Sequence, residues 1–126
     1  MKNKRINSIV QFISDERIPL SYVEYVIAHL NVKLIAEMKR GRLLLRDAEK
    51  LLYNIEVALA VEKRKCSKAC REILEWGMQL EDWFDFNPGD VNEAYEALEQ
   101  FSKKILTKQT PPAIRIDRKK RVSIPA

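Results

Sequence analysis

The stretch SYVEYVIAHLNVKLIAEMKRG, residues 21–41, decides the fold. Between Tyr22 and Ile35 it is apolar almost all round, and a helix with no face suited to water belongs at the centre of a bundle. Ser21 followed by Glu24 has the spacing of a capping box, which predicts a helix start there. Gly41 supplies the left-handed residue that ends helices, and Lys39 and Arg40 suit the negative end of the dipole.

Upstream, Ile6, Ile9, Val10 and Ile13 line one face of a first helix, which stops near Asp15 because Pro19 disfavours helical geometry before it. Downstream, residues 47–64 read as a third helix with a buried stripe of Ala48, Leu51, Leu52, Ile55, Ala58 and Leu59. Residues 67–83 read as a fourth, with Ala69, Ile73, Trp76, Leu80, Trp83 and Phe84 on its packed side. Asn87-Pro88-Gly89-Asp90 is a turn in which Pro fixes one torsion and Gly frees the next. Asp90 with Glu93 opens a fifth helix through Val91, Ala94, Leu98, Phe101 and Ile105. Leu30, Leu51, Ile73 and Leu98 are expected to enclose one another. The predicted fold class is all-α, a compact bundle of about five helices over residues 1–110 with an extended, basic tail over 111–126. In that tail Ile114, Ile116, Val122 and Ile124 alternate with polar residues, the period of a strand.

A chain of 126 residues suffices for one hydrophobic core. No apolar run approaches the roughly 20 residues that cross a bilayer, so no membrane partner is expected. The basic start is followed by a stretch that Asn7, Ser8 and Gln11 interrupt, unlike a secretory signal, and a cytoplasmic protein is expected. The net charge of +5 conceals three blocks. Residues 1–71 hold 15 basic and 8 acidic side chains, residues 72–102 hold nine acids and no base, and residues 103–126 hold eight bases and one acid.

Catalytic motifs are lacking. His29 has no Ser, Cys or Asp pattern around it and reads as a partly exposed structural residue. Cys66 and Cys70 share a helix face, but two thiols fall short of the four ligands of a zinc site, so they read as structural. Lys65, Lys68 and the helix dipole would lower the pKa of Cys66. No catalytic residue, metal or cofactor is expected, and the chain is not expected to be an enzyme. Trp76 and Trp83, one heptad apart, read as core.

Glu81, Asp82, Trp83 and Asp85 form the candidate partner-binding set. At a helix C-terminus these acids would oppose the dipole and need a basic partner. That partner is either internal, from Arg40, Arg42 or Arg46, or the surface of another protein. Arg115, Arg118, Lys119, Lys120 and Arg121 are the candidate nucleic-acid contacts, as phosphate-neutralising cations. The alternating tail also offers a strand edge through which two copies could pair.

GRLLLRDAEKLLY (41–53) followed by EILEWGMQLEDW (72–83) resembles a family of small bacterial helical proteins known only as domains of unknown function. The shared features are a Gly leading through a short turn into an Asp-Ala-Glu helix, then a Gly-x-x-Leu-Glu-Asp helix. The likeness covers about residues 25–106, leaves the basic tail outside, and implies a helical fold but no activity. Separately, IRIDRKKRVSIPA (114–126) is similar to part of the strand–turn–strand of swapped-hairpin transcription factors, with Lys120 where those have Gly.

The leading expectation is an accessory protein of bacterial or phage type that acts by binding another protein, in an immunity, inhibitor or adaptor role. The alternative is a nucleic-acid-associated protein using its basic N-terminal and C-terminal segments.

Overall fold

The computed structural model describes residues 8–108, which contain helices and no strand. The basic N-terminus, the boundary at residue 110 and the alternating tail lie outside the described residues. The five expected helical segments are present, two of them divided by a turn. They are α1 (Ser8–Ser14), α2 (Leu20–Lys39), α3 (Leu45–Leu51), α4 (Ile55–Lys63), α5 (Lys68–Met78), α6 (Leu80–Phe86) and α7 (Val91–Lys108). A single 3-10 turn, Pro88–Asp90, leads into α7.

The long apolar α2 packs on α7 and α5, and these three helices surround the core. As the spacing predicts, Val91, Ala94, Leu98 and Ile105 of α7 are buried, with Phe101 half-buried beside them. At the centre stands Asn31, fully enclosed. Its Nδ2 donates to the Leu98 carbonyl at 3.0 Å and to Ser102 Oγ at 2.8 Å, and its Oδ1 accepts from the Tyr53 hydroxyl at 2.6 Å. Ser102 Oγ donates in turn to the Ala28 carbonyl at 2.9 Å. Each of these side chains has its partner, so the network fixes the register of α2 against α7 without leaving a buried group unpaired.

The expected third helix breaks at Asn54. Its Oδ1 accepts from Val57 N at 3.0 Å, capping α4, while its Nδ2 donates to the Glu49 and Lys50 carbonyls at the end of α3. The break resets the helical phase. Leu52, Tyr53, Val57, Ala60 and Val61 turn inward, whereas Leu51, Ile55 and Leu59, expected in the buried stripe, face solvent. Of the four residues expected to enclose one another, Ile73 and Leu98 are buried, Leu30 is half-buried and Leu51 is exposed.

The capping box expected at Ser21 is also replaced. α2 starts at Pro19, whose carbonyl takes the first helical bonds, and no side chain caps it. Glu24 instead reaches across the bundle, buried, to accept from Ser67 N at 2.6 Å and Ser67 Oγ at 2.8 Å at the start of α5. α1 is tied down by Arg64, whose guanidinium donates to the carbonyls of Ile13 (2.6 Å), Asp15 (3.2 Å) and Ile18 (2.5 Å). These carbonyls close α1 and its following turn, where a cation suits both the orphan acceptors and the dipole.

Candidate functional site

The expected partner-binding acids sit on α6. Because Met78 ends α5 and Leu80 begins α6, Glu81 and Asp82 occupy a first helical turn rather than a last one. They suit the local dipole instead of opposing it; only Asp85 lies toward the C-terminal end. All three carboxylates are exposed.

The internal basic partners do not reach them. Arg40 and Arg42 pair with Glu37 at 3.4 and 3.8 Å, and Arg46 makes no ion pair among the described residues. Of the nine acids between residues 72 and 102, Glu99 alone has a cation within ion-pair distance among the described residues, Lys39 at 3.0 Å. The acidic field is felt by a neighbour. Partial burial, with Glu81 nearby, raises the pKa of Glu49 from its ordinary value.

The aromatic residues divide between core and surface. Trp83 is half-buried and stacks on Trp76, with centroids 6.1 Å apart and planes 20° from parallel; Trp76 meets Phe101 edge-on at 5.8 Å. Phe84, expected on the packed side, is partly exposed and touches Tyr95 edge-on at 6.4 Å. Phe86, which the sequence reading did not single out, is 77% exposed at the end of α6. A large aromatic directly before Asn-Pro-Gly was the available signal, since a side chain at a turn has little to pack on. The result is an exposed surface carrying Glu81, Asp82, Asp85, Phe84 and Phe86, rooted by the half-buried Trp83.

His29 is exposed and lies edge-on to Tyr25, with ring centroids 4.5 Å apart. Cys66 and Cys70 are both buried and free. A hydrogen bond from the Cys70 thiol, with Arg64 and Arg71 nearby, lowers the pKa of Cys66, so the neighbours differ from the expected Lys65 and Lys68. The same bond and burial push Cys70 far up. No group of three or more His, Cys, Asp or Glu side chains among the described residues is placed to hold a metal ion.

A groove of about 480 Å³ runs between the start of α5 and the end of α7, with Phe101 and Ile105 along it and Lys68, Lys104 and Lys108 around it. Glu24 and Ser67 also line it, and the Glu24 carboxylate already engages Ser67 at the head of α5. Arg115, Arg118, Lys119, Lys120 and Arg121 lie outside the described residues. No described helix is long and apolar enough to cross a membrane.

Fold and surface together define an all-helical domain whose polar network is structural and whose exposed features are charged and aromatic. The chain belongs to the family described as "Protein of unknown function (DUF3969)", which matches residues 20–120. That match confirms the helical family resembled by residues 41–53 and 72–83, and it extends further than expected, into the basic run of the tail. Neither the curated proteins nor the solved structures gave a match.

Proposed function

We propose that this protein is a non-catalytic, cytoplasmic accessory protein of the bacterial or phage type. It binds a basic surface of another protein through α6, in an immunity, inhibitor or adaptor role. The observation that carries this reading is that Glu81, Asp82 and Asp85, beside the exposed Phe86, have no cation within ion-pair distance among the described residues, while Arg40 and Arg42 are engaged by Glu37. Complementary charge steers association, and an exposed aromatic supplies an apolar anchor.

The test is affinity capture with the wild-type chain, with Glu81→Lys/Asp82→Lys/Asp85→Lys, and with Phe86→Ala. A stoichiometric partner held by the wild type and lost from both variants, at unchanged melting temperature, is the expected result. A partner retained by both variants would overturn it.

A second reading, association with nucleic acid, is favoured by one observation: the family match includes residues 115–120 of the basic run. Retardation of DNA or RNA that weakens with salt and vanishes in a chain ending at Lys108 is its expected signature.

A further inference from the structure

We propose that the outer face of α4 is a self-association surface on which a second copy of this chain docks antiparallel, α4 against α4. The face exists because of the Asn54 break, which leaves Ile55 60% and Leu59 57% exposed, with Leu51 also exposed at the corner just before them. Adjacent aliphatic side chains of this size on a short helix mark an interaction surface more often than isolated ones do.

The charges on α4 point to the occupant, and together with the helix dipole they favour one direction. Glu56, Glu62 and Lys63 are exposed and make no ion pair among the described residues. At 3.6 residues per turn, residues seven apart share a flank, so Glu56 and Lys63 lie along one flank of the apolar face and Ile55 and Glu62 along the other, with Leu59 between. A parallel pairing of two copies would set the Glu56 and Lys63 flank of one against the Ile55 and Glu62 flank of the other, leaving Glu56 without a cation and the two helix dipoles aligned. An antiparallel pairing about an axis beside Leu59 sets Leu59 against Leu59 and Glu56 of each copy beside Lys63 of the other, twice by symmetry. It also opposes the two helix dipoles. The face is therefore complementary to itself, and it uses residues separate from the acidic α6 surface, so its failure would leave that reading standing. The small size of a nine-residue helix places the affinity in roughly the micromolar range, at the weak end of specific interfaces.

Sedimentation velocity of the full chain from about 1 to about 300 µM tests this, a range that spans weak interfaces. The expected result is a reversible dimer. Leu59→Asp should weaken it at least about tenfold, because a carboxylate would face its twin at the centre. Glu56→Lys and Lys63→Glu should each weaken it several-fold, and the combined swap, which restores opposite charges, should recover it. All these positions are exposed, so circular dichroism should be unchanged. A monomer throughout the range overturns the proposal. So does a dimer that ignores Leu59→Asp, one the double swap fails to recover, or one lost only when the chain ends at Lys108.

Discussion

The ring of Tyr53 occupies the space that a side chain at Gly77 would need: a β-carbon there would stand 2.1 Å from Tyr53 Cδ1. The ring cannot retreat freely, because its hydroxyl is bonded to the buried Asn31 at 2.6 Å. Gly77→Ala should therefore destabilise the fold by about 3 kcal/mol, at the upper end for overpacking. Tyr53→Phe, which leaves Asn31 Oδ1 without its donor, should cost about 1–3 kcal/mol. Urea unfolding of each, of Tyr53→Leu, and of Gly77→Ala combined with Tyr53→Leu, checks the contact. The double variant should lose less than the sum of its parts.

Arg64 holds three carbonyls of the α1 region. Arg64→Met keeps the apolar stem and removes the donors, and should cost about 2–4 kcal/mol for several charge-assisted bonds. Amide exchange should accelerate across Ser8–Ser14 more than in α7. Uniform acceleration would mean that α1 is held by its apolar side alone.

Lys65 has a left-handed φ of 63°, at the position after α4 that glycine usually fills. Its own N–H and that of Cys66 satisfy the last carbonyls of α4, so the conformation is required by the cap. Lys65→Gly should stabilise the protein by about 0.5–1 kcal/mol, from removing the side-chain clash that L-residues suffer there.

Two carboxylates should titrate abnormally and in opposite directions. The Arg17 side chain and backbone N–H bond Asp15 and hold its pKa at about 2, below its ordinary 3.8. Its contribution to stability is therefore present above about pH 4 and fades as pH falls toward 2. Glu49 lies above its ordinary value through burial and the nearby Glu81, so ionising it opposes folding and its penalty grows as pH rises through that value. Carboxyl NMR titration should show both, and Glu81→Gln should move Glu49 back downward.

α7 was legible because its apolar residues repeat at helical spacing over about four turns, and α2 because a long stretch apolar almost all round ends at Gly41. The break at Asn54 was harder to see. Apolar residues continue through it at spacings of three and four, and the cap that divides the segment is a single polar side chain. A cap Asn followed by Ile-Glu-Val was the signal to weigh more heavily. The break at Gln79 carries no local signal, since neither Pro nor Gly lies at it. Glu24 was misassigned because its partner, Ser67, lies 43 residues away, and spacing rules see only near neighbours. The acids of the α6 surface were visible from the charge blocks. Its exposed Phe86 was not, because exposure depends on where the chain turns.

The partners of Asn31 have a consequence for the order of folding. Leu98 and Ser102 lie 67 and 71 residues along the chain from it, whereas Tyr53 is only 22 away. Closing the longer loops carries the larger entropic penalty, so the contact with Tyr53 can form early and the bonds to α7 late. Until α7 docks, the Asn31 amide must keep water beside it, and a chain paused at that stage has a hydrated, unlocked centre. We expect substitutions at Ser102 to act chiefly on the rate of unfolding and to leave the rate of folding nearly unchanged. Stopped-flow kinetics would expose the reverse pattern if α7 docked first.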